Sequence, residues 1–299
     1  MQRIWQPVRT LIAASIVAIA TFNPTQTLQA QTETREFKPV VGQEGKDVIW
    51  VPTPQSLVER MLEMAKTTPQ DYIVDLGSGD GRTVITAAKK YGVNALGVEF
   101  NPDMVELSRR NAEQEGVADR AKFIQGDIFQ TDFSSATVLT LYLLPALNVK
   151  LRPTILRMKP GTRVVSHAFS MDDWQPDQIE TVEGRTAYLW IVPAQVEGTW
   201  RWGGSHKYEL LLQQHYQQVE GLVKVDNRTA QFRNPRLQGE RISFSIIEYS
   251  GMGNIQHDFT GRVNGDVMEG TVRRSDAGGE EKWTARRVSN AGAQQRSSR

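Results

Sequence analysis

The sequence predicts an α/β fold, a doubly wound sheet, followed by a small antiparallel β-sheet or barrel. Over residues 48–193, short β-type runs alternate with helical patterns, as they do in doubly wound sheets. From about residue 195 the helical periods disappear, and short β-type runs separated by turns such as Asn264-Gly265-Asp266 take their place. We therefore predict an α/β domain at 48–193 and a small all-β domain at 194–288, with a disordered tail at 289–299.

Composition excludes several classes of protein. The 299 residues are 39% apolar and 23% charged, which is ordinary for a globular protein. The formal net charge of +1 argues against a broad nucleic-acid-binding face. The chain has no cysteine, and its four histidines have no pair with metal-ligand spacing, so we expect no metal site. Those histidines are His167, His206, His215 and His257.

The first 30 residues have the pattern of a secretory signal. Arg3 and Arg9 precede an uncharged, mostly apolar run from Leu11 to Phe22, and a small-residue exit follows at Ala30. The run is short for a membrane span, which needs roughly 20 apolar residues. We expect cleavage after Ala30 and export to the periplasm or the medium, with an uncleaved membrane anchor as the alternative. Cleavage removes two arginines and no acid, and it changes the formal charge from +1 to −1.

A flexible lead-in at residues 31–47 is predicted from its polar character and its lack of any period. Thr53 is expected to cap a helix that begins at Pro54. The helix places five apolar residues on one face, namely Leu57, Val58, Met61, Leu62 and Ala65. The segment from Trp50 to Thr53 is placed to fold over the mouth of a ligand site.

The most informative stretch follows the first strand, Tyr72 to Leu76, which carries Asp75. Glycines at 77, 79 and 81 let the backbone turn sharply and let a ligand approach the main chain. Ligands bind at the carboxyl ends of strands in open α/β sheets. Arg82 stands where the dinucleotide fingerprint needs a glycine, and no Lys-Ser/Thr pair follows for a phosphate-binding P-loop. The leading Asp75 instead favours a ligand with a cationic amine or sulfonium.

Two further acids follow predicted strands. Glu99 ends the second strand about 20 residues after the loop, where an acid accepts hydrogen bonds from ribose hydroxyls. Asn101-Pro102 then starts a helix that runs to about Glu115. Asp127 follows the third strand, Ala121 to Gln125, and is placed to accept from an exocyclic adenine amine. The alternatives are a solvated strand-end acid for Glu99 and an ordinary Gly-Asp turn for Asp127.

The fourth strand is predicted from Thr137 to Tyr142, and a helix follows from about Leu147 to Met158. Strands at Arg163 to Ser166 and at Thr186 to Val192 complete this domain. Tyr142 has two equally weighted interpretations. Its ring either faces a cationic ligand, an interaction of roughly 0.5–2 kcal/mol, or is part of the core.

Together these residues resemble the class I S-adenosylmethionine (SAM) methyltransferases, whose first motif is this acidic-x-Gly-x-Gly-x-Gly loop. Residues 51 to about 170 are similar to small protein-lysine methyltransferases related to those acting on mitochondrial membrane proteins. The residues that carry the resemblance are Val51-Pro52-Thr53-Pro54, Asp75-Leu76-Gly77-Ser78-Gly79-Asp80-Gly81-Arg82, Gly97-Val98-Glu99-Phe100-Asn101-Pro102, Ser108-Arg109 and Gly126-Asp127. The segment Leu147 to Phe169 also resembles histone-lysine methyltransferases built on a seven-strand sheet.

The resemblance implies a Rossmann-like seven-strand sheet and SAM as the cofactor. It implies a cofactor site at Asp75, Gly77, Gly79, Glu99, Asp127 and Tyr142. It also implies methyl transfer to a protein substrate, with a lysine as the acceptor. Many related enzymes carry an Asn or an aromatic-proline element after strand four, where this chain has Tyr142-Leu143-Leu144-Pro145. No catalytic residue is assigned.

Other readings stay open. The chain is alternatively a non-catalytic exported scaffold or binding module that retains the fold, and membrane proximity is a further possibility. SAM is made in the cytosol, so an exported enzyme needs a cofactor supply that the sequence does not reveal. Six β-type runs are predicted in the second domain, which either holds a ligand, presents a substrate-binding surface or adds stability. These runs are Tyr208 to Gln213, Val219 to Val225, Ile242 to Ile247, His257 to Val263, Val267 to Val272 and Lys282 to Arg286.

Overall fold

The computed structural model describes residues 37–204, 206–250 and 253–289. The predicted signal peptide with its cleavage point, and residues 290–299 of the predicted tail, lie outside the described residues. Ser289, the first residue of the predicted tail, belongs instead to the last strand of the structure. Within the described ranges, no helix is long and apolar enough to cross a membrane.

A seven-stranded sheet with strand order β3-β2-β1-β4-β5-β7-β6 forms the first half of the structure. Its strands are β1 (Tyr72–Leu76), β2 (Asn94–Glu99), β3 (Ala121–Gln125), β4 (Val138–Leu141), β5 (Arg163–His167), β6 (Gln178–Val182) and β7 (Arg185–Ile191). The first five strands are parallel, whereas β7 pairs antiparallel with both β5 and β6. This arrangement confirms the predicted seven-strand sheet.

Helices cover both faces of the sheet. They are α1 (Gln55–Met64), α2 (Arg82–Tyr91), α3 (Pro102–Gln114) and α4 (Pro145–Ile155). Alternate residues of β1 enter different cores, because successive side chains of a strand point to opposite faces. Ile73 packs with α1, α2 and α3, whereas Val74 and Leu76 pack with α4. Burial on both faces explains why the central strands are almost wholly apolar.

One of the two predicted helix caps is confirmed. The Asn101 side chain accepts hydrogen bonds from the backbone N–H groups of Asp103 (2.9 Å) and Met104 (3.4 Å) at the start of α3. The prediction that Thr53 caps α1 is wrong, because that helix starts at Gln55 with Pro54 as its cap residue and no side-chain cap bond. The Thr53 hydroxyl lies 3.1 Å from His167 Nδ1 instead.

The second half is a closed eight-stranded antiparallel barrel, in the order β10-β11-β12-β13-β14-β15-β8-β9. Its strands are β8 (Gly198–Gly203), β9 (Lys207–His215), β10 (Gln218–Val225), β11 (Arg228–Gln238), β12 (Arg241–Ser250), β13 (Gly253–Asn264), β14 (Val267–Arg274) and β15 (Glu280–Ser289). Each of the six predicted runs falls within one of these strands. The two strands that were not predicted are β8 and β11.

Aromatic side chains fill the barrel interior. Trp202 stacks on Tyr208, with ring centroids 4.8 Å apart, and Phe244 stacks on Phe259 at 5.0 Å. Trp283 meets Phe259 edge to face at 5.2 Å. The interior is therefore packed by side chains, as in other small barrels.

The barrel is joined to the sheet by specific contacts. Trp174 donates a hydrogen bond to Gln217 Oε1 (2.9 Å), and Ala194 N–H donates to the Gly239 carbonyl (2.8 Å). A Cβ atom at Gly239 would lie 2.9 Å from Gly161 Cα, so the β11–β12 turn approaches the start of β5 closely. We infer that unfolding of the barrel would disturb the sheet.

Candidate functional site

A cavity of about 640 Å³ opens at the carboxyl ends of β1, β2 and β4. All six residues predicted for the cofactor site line it, namely Asp75, Gly77, Gly79, Glu99, Asp127 and Tyr142. The topology brings them together because parallel strands place their carboxyl ends at one edge of the sheet.

The glycine loop between β1 and α2 is folded as its sequence requires. Gly77, Gly79 and Gly81 have φ values of 78°, 54° and 82°, in the left-handed region that favours glycine. The N–H groups of Gly77 and Ser78 both donate to the Val98 carbonyl of β2, at 2.8 and 3.1 Å. These bonds hold the loop against the next strand, so that its main chain forms one wall of the cavity.

Asp75 lies at the base of this wall and is only 6% exposed. The Thr140 hydroxyl of β4 donates to its Oδ1 atom at 2.6 Å. Burial, with smaller effects of the neighbouring Glu99 and Asp80 carboxylates, outweighs the hydrogen bonds from Thr140 and Thr83 and raises the pKa of Asp75 to about 7. A buried carboxylate without a basic partner favours a cationic ligand.

Glu99 and Asp127 both line the cavity, and hydrogen bonds within the protein hold both carboxylates in place. The two Glu99 oxygens accept from the N–H groups of Gly79 and Asn101, both at 3.0 Å. Asp127 accepts from Phe129 N–H through Oδ1 at 2.9 Å and from the Lys46 ammonium through Oδ2 at 2.7 Å. Each carboxylate oxygen can accept more than one hydrogen bond, so Glu99 keeps capacity for ribose hydroxyls.

The residues present fit SAM. Three acids line the cavity, as expected for a ligand with a cationic group, ribose hydroxyls and an adenine amine, and the left-handed glycines leave the main chain bare. Ser78 Oγ in the same wall is buried and has no hydrogen-bond partner among the described residues. An unsatisfied buried hydroxyl is costly, which favours a ligand or water that completes it.

Beside the cofactor end, Tyr142 and Phe169 form an aromatic wall of the cavity. The Tyr142 ring packs on the His167 ring, with centroids 3.8 Å apart, and on Phe169 at 6.1 Å. The packing agrees with the core interpretation of Tyr142, the residue also lines the cavity, and contact of its ring with a cationic ligand stays a prediction. His167 is itself 2% exposed and its Nδ1 atom pairs with the Thr53 hydroxyl.

His167 is expected to lower the stability of the folded protein in acid, an effect that Asp75 opposes over the same pH range. Burial, with a smaller effect of Arg185, lowers the pKa of His167 to about 4, so the folded protein keeps this ring neutral. Between pH 6.5 and pH 4 the unfolded chain binds a proton that the folded chain does not. Stability from this group is therefore lost as the pH falls through that range, by about 3 kcal/mol in total. Urea unfolding of His167→Gln between pH 4 and pH 7 should lack this loss, and an unchanged acid profile would contradict the assignment.

The segment from Gln43 to Thr53, here called the strap, lies along the same cavity. Gly42 and Trp50 are joined by a 2.9 Å backbone bond, and Trp50 N–H donates to the Gln43 carbonyl at 2.9 Å. The Trp50 indole covers the glycine loop, since a Cβ atom at Gly79 would lie 2.6 Å from Trp50 Nε1. The expectation that Trp50 to Thr53 folds over the mouth is confirmed. The described part of the predicted flexible lead-in is hydrogen-bonded, and its flexibility stays a prediction.

Sequence reasoning missed several cavity residues. Lys46 and Phe100 line the cavity beside Asp127, and Phe169 lines the aromatic wall. The sequence shows that Phe100 is an aromatic residue directly after Glu99, and this position was a usable signal. In the structure Phe100 is 47% exposed. Nothing near Lys46 in the sequence indicates that it meets Asp127, which lies 81 positions later.

Known proteins resemble the sheet half of this chain. The model of the ANTKMT methyltransferase domain family matches residues 75–178, which end before the barrel. A protein-lysine N-methyltransferase of Saccharolobus islandicus (strain REY15A) is 44% identical over 151 residues, covering 48% of this chain and 94% of that protein. The adenine nucleotide translocase lysine N-methyltransferase of Mus musculus is 34% identical over 143 residues, and the match spans 47% of this chain and 61% of the mouse protein.

A solved structure described as an RNA methyltransferase from Salinibacter ruber with S-adenosyl-L-homocysteine is 51% identical. It covers 49% of this chain and 96% of its own, with a TM-score of 0.48. The fold, the cavity and the near-complete match to the Saccharolobus protein lead to one conclusion. The chain belongs to the protein-lysine methyltransferases of the class I, SAM-dependent type.

Proposed function

We propose that this enzyme methylates the side-chain amine of a lysine in an exported protein substrate. The observation that carries the proposal is the aromatic wall beside the acidic cofactor end of one cavity. A lysine side chain has a long apolar stem and a compact cationic head. Tyr142, Phe169 and the half-exposed Leu144 offer apolar surface to that stem, and an aromatic face favours the head group.

The residues of the chain contribute alignment and exclusion of water. When bound, SAM supplies a methyl group activated by a positive sulfonium. Asp75 lies where it favours the ligand's positive charge, Glu99 and the glycine loop orient the ligand, and Tyr142 orients the acceptor amine. Because His167 stays neutral behind Tyr142, no cation of this wall repels the acceptor. The amine must lose its proton before transfer, and the cavity mouth lets that proton pass to solvent.

The test is transfer of a deuterated methyl group from labelled SAM to proteins of the producing cell. The expected result is mass-labelled methyl-lysine in one or a few proteins, located by peptide sequencing in a mass spectrometer. Label confined to RNA, arginine or carboxyl esters would contradict the lysine proposal. Calorimetry with the mature protein tests the core assumption separately, because no SAM binding at millimolar ligand would overturn it.

The alternative is a non-catalytic exported scaffold, and substitution of Gly79 separates the two. A valine at Gly79 forces a side chain into left-handed backbone and against Trp50. We expect Gly79→Val to cost about 1–2 kcal/mol of stability and to abolish both SAM binding and methyl transfer. Gly92→Val is the matched control, because Gly92 has a φ of 69° but no atom within 4 Å of its Cβ position and lies outside the cavity. A scaffold would keep partner binding in both variants.

Export is part of the proposal. It is supported by the basic head, the apolar run and the small-residue exit within residues 1–30. Fractionation of producing cells with N-terminal sequencing is expected to find a chain that begins at Gln31 outside the cytosol. A chain that begins at Met1 in the membrane fraction would favour the uncleaved anchor and a substrate close to the membrane. A chain that begins at Met1 in the cytosol would contradict export.

A further inference from the structure

Lys46 extends from the tip of the strap into the end of the cavity beside Asp127. Its ammonium lies 2.7 Å from Asp127 Oδ2 and 4.8 Å from the centroid of the Phe100 ring. Asp127 pairing raises the pKa of Lys46, and Lys46 lowers the pKa of Asp127, so both groups are charged at neutral pH. One cation thus contacts both the acid and the aromatic ring that border this end of the cavity.

The hydrogen bonds of Asp127 show why the contact with Lys46 matters for a ligand that donates to the same carboxylate. The Oδ1 atom accepts from Phe129 N–H at 2.9 Å. A carboxylate oxygen can accept a second hydrogen bond, so a competitor must also occupy the space of the ligand, and that is the situation at Oδ2. Lys46 is bonded to that oxygen. An adenine amine that donates to Asp127 would meet a donor already in place, and an adenine ring that packs on Phe100 would meet the same ammonium.

We propose that Lys46 and the adenine amine of the cofactor compete for Asp127 Oδ2, so that Lys46 must leave before the cofactor is fully seated. This inference rests on the proposed role of Asp127 in the cofactor site. The strap geometry fits the role of a competitor, because a backbone bond from Gly45 N–H to the Val48 carbonyl (3.0 Å) closes a turn that holds Lys46 at the tip. Lys46 thereby limits the affinity for the cofactor.

Calorimetric titration of Lys46→Met with SAM and with S-adenosyl-L-homocysteine tests this proposal. The two ligands share the adenosine part, but only SAM carries the sulfonium charge. Loss of the competing ion pair is expected to raise the affinity for both ligands by about fivefold, which is within the range of an exposed ion pair. Lys46→Arg, which keeps the charge, and Lys282→Met, on an exposed position of β15, are the controls and should bind as wild type does.

Each other result overturns the inference in a distinct way. A gain for SAM alone would mean that Lys46 only repels the sulfonium, and a loss for both ligands would mean that Lys46 is a cofactor ligand. Affinities within twofold of wild type for both ligands would show that the Lys46–Asp127 ion pair does not lower the affinity for the cofactor. If the wild-type protein binds neither ligand at millimolar concentration, the cofactor site itself is wrongly assigned and the inference fails with it.

Discussion

Asp75→Asn is expected to stabilise the protein at pH 8 and to weaken SAM binding at the same pH. The carboxyl is buried and has no basic partner among the described residues, and its pKa lies near 7 instead of 3.8. Keeping it ionised in the folded protein costs about 4 kcal/mol above pH 7, because one pKa unit corresponds to about 1.4 kcal/mol. Asparagine has nearly the same shape, can still accept the Thr140 hydrogen bond and carries no charge to desolvate.

The sign of the effect can be followed with pH. A raised folded-state pKa means that this group costs nothing below pH 4, and that the cost grows as the pH rises towards 7. Urea unfolding should therefore find Asp75→Asn equal to wild type at pH 4 and more stable by about 4 kcal/mol at pH 8. Binding should show the opposite preference, since a cationic ligand needs the ionised acid. The wild-type dissociation constant for SAM should rise by up to about tenfold for each pH unit below 7.

Asp71→Asn is the matched control, because Asp71 directly precedes the same strand, β1. Asp71 is also buried, at 8% exposed, but it pairs with Arg163 and accepts from Thr137 and Thr68. Burial alone would raise the pKa of Asp71, and these partners hold it below its ordinary value. Its replacement should therefore destabilise the protein at pH 8. Two results would contradict the interpretation of Asp75 as a cofactor-binding acid that is costly to ionise. One is a loss of stability in Asp75→Asn like that in Asp71→Asn, and the other is SAM binding by Asp75→Asn as strong as that of wild type.

Asp75 and His167 act in opposite directions over the same pH range. As the pH rises, Asp75 lowers the free energy of unfolding, whereas His167 raises it. The two effects largely cancel in the wild-type protein between pH 4 and 6.5. Each single variant should therefore expose the slope of the other group, and the double variant should restore a nearly flat profile.

The parts of the site that were predictable are those with a local signal. Asp75 is the penultimate residue of β1, Glu99 is the last residue of β2, and one short loop between them requires the left-handed glycines. The strand order follows from the family resemblance, and the parallel register then places Asp127 at the same edge.

Long-range contacts were not predictable from one sequence. Thr53 looks like a helix cap because Pro54 follows it, yet tertiary packing gives its hydroxyl to His167, 114 positions away. Likewise, β11 contains Asn234 and Pro235, which argue against a strand. The structure accommodates them in a bulge between Arg233 and Arg236, where Asn234 takes a φ of 52°. Local patterns carry no information on such partners.

The barrel is the part of the chain that the family match does not reach, and Gly270→Val tests what it contributes. Gly270 of β14 pairs with Gly261 of β13, and the Trp283 indole packs over them and donates to the Thr260 carbonyl at 3.1 Å. A Cβ atom at Gly270 would lie 1.9 Å from that carbonyl oxygen and 2.5 Å from Gly261 Cα. The clashing atoms belong to the backbone, which cannot move aside as a side chain can. We therefore expect Gly270→Val to lower the free energy of unfolding by at least about 4 kcal/mol.

Trp174, Gln217 and Gly239 join the barrel to the sheet. We therefore expect that destabilisation of the barrel also disrupts the cofactor site. Urea unfolding of Gly270→Val should show one early transition, and calorimetry should find SAM binding lost with it. Gly203→Val is the control, since Gly203 of β8 has no atom within 4 Å of its Cβ position and no positive φ. If the variant keeps SAM binding but loses transfer to protein, the barrel does not stabilise the sheet and instead presents the substrate. Cofactor binding therefore separates the stabilising role from the substrate-binding role, which composition and strand pattern alone leave open.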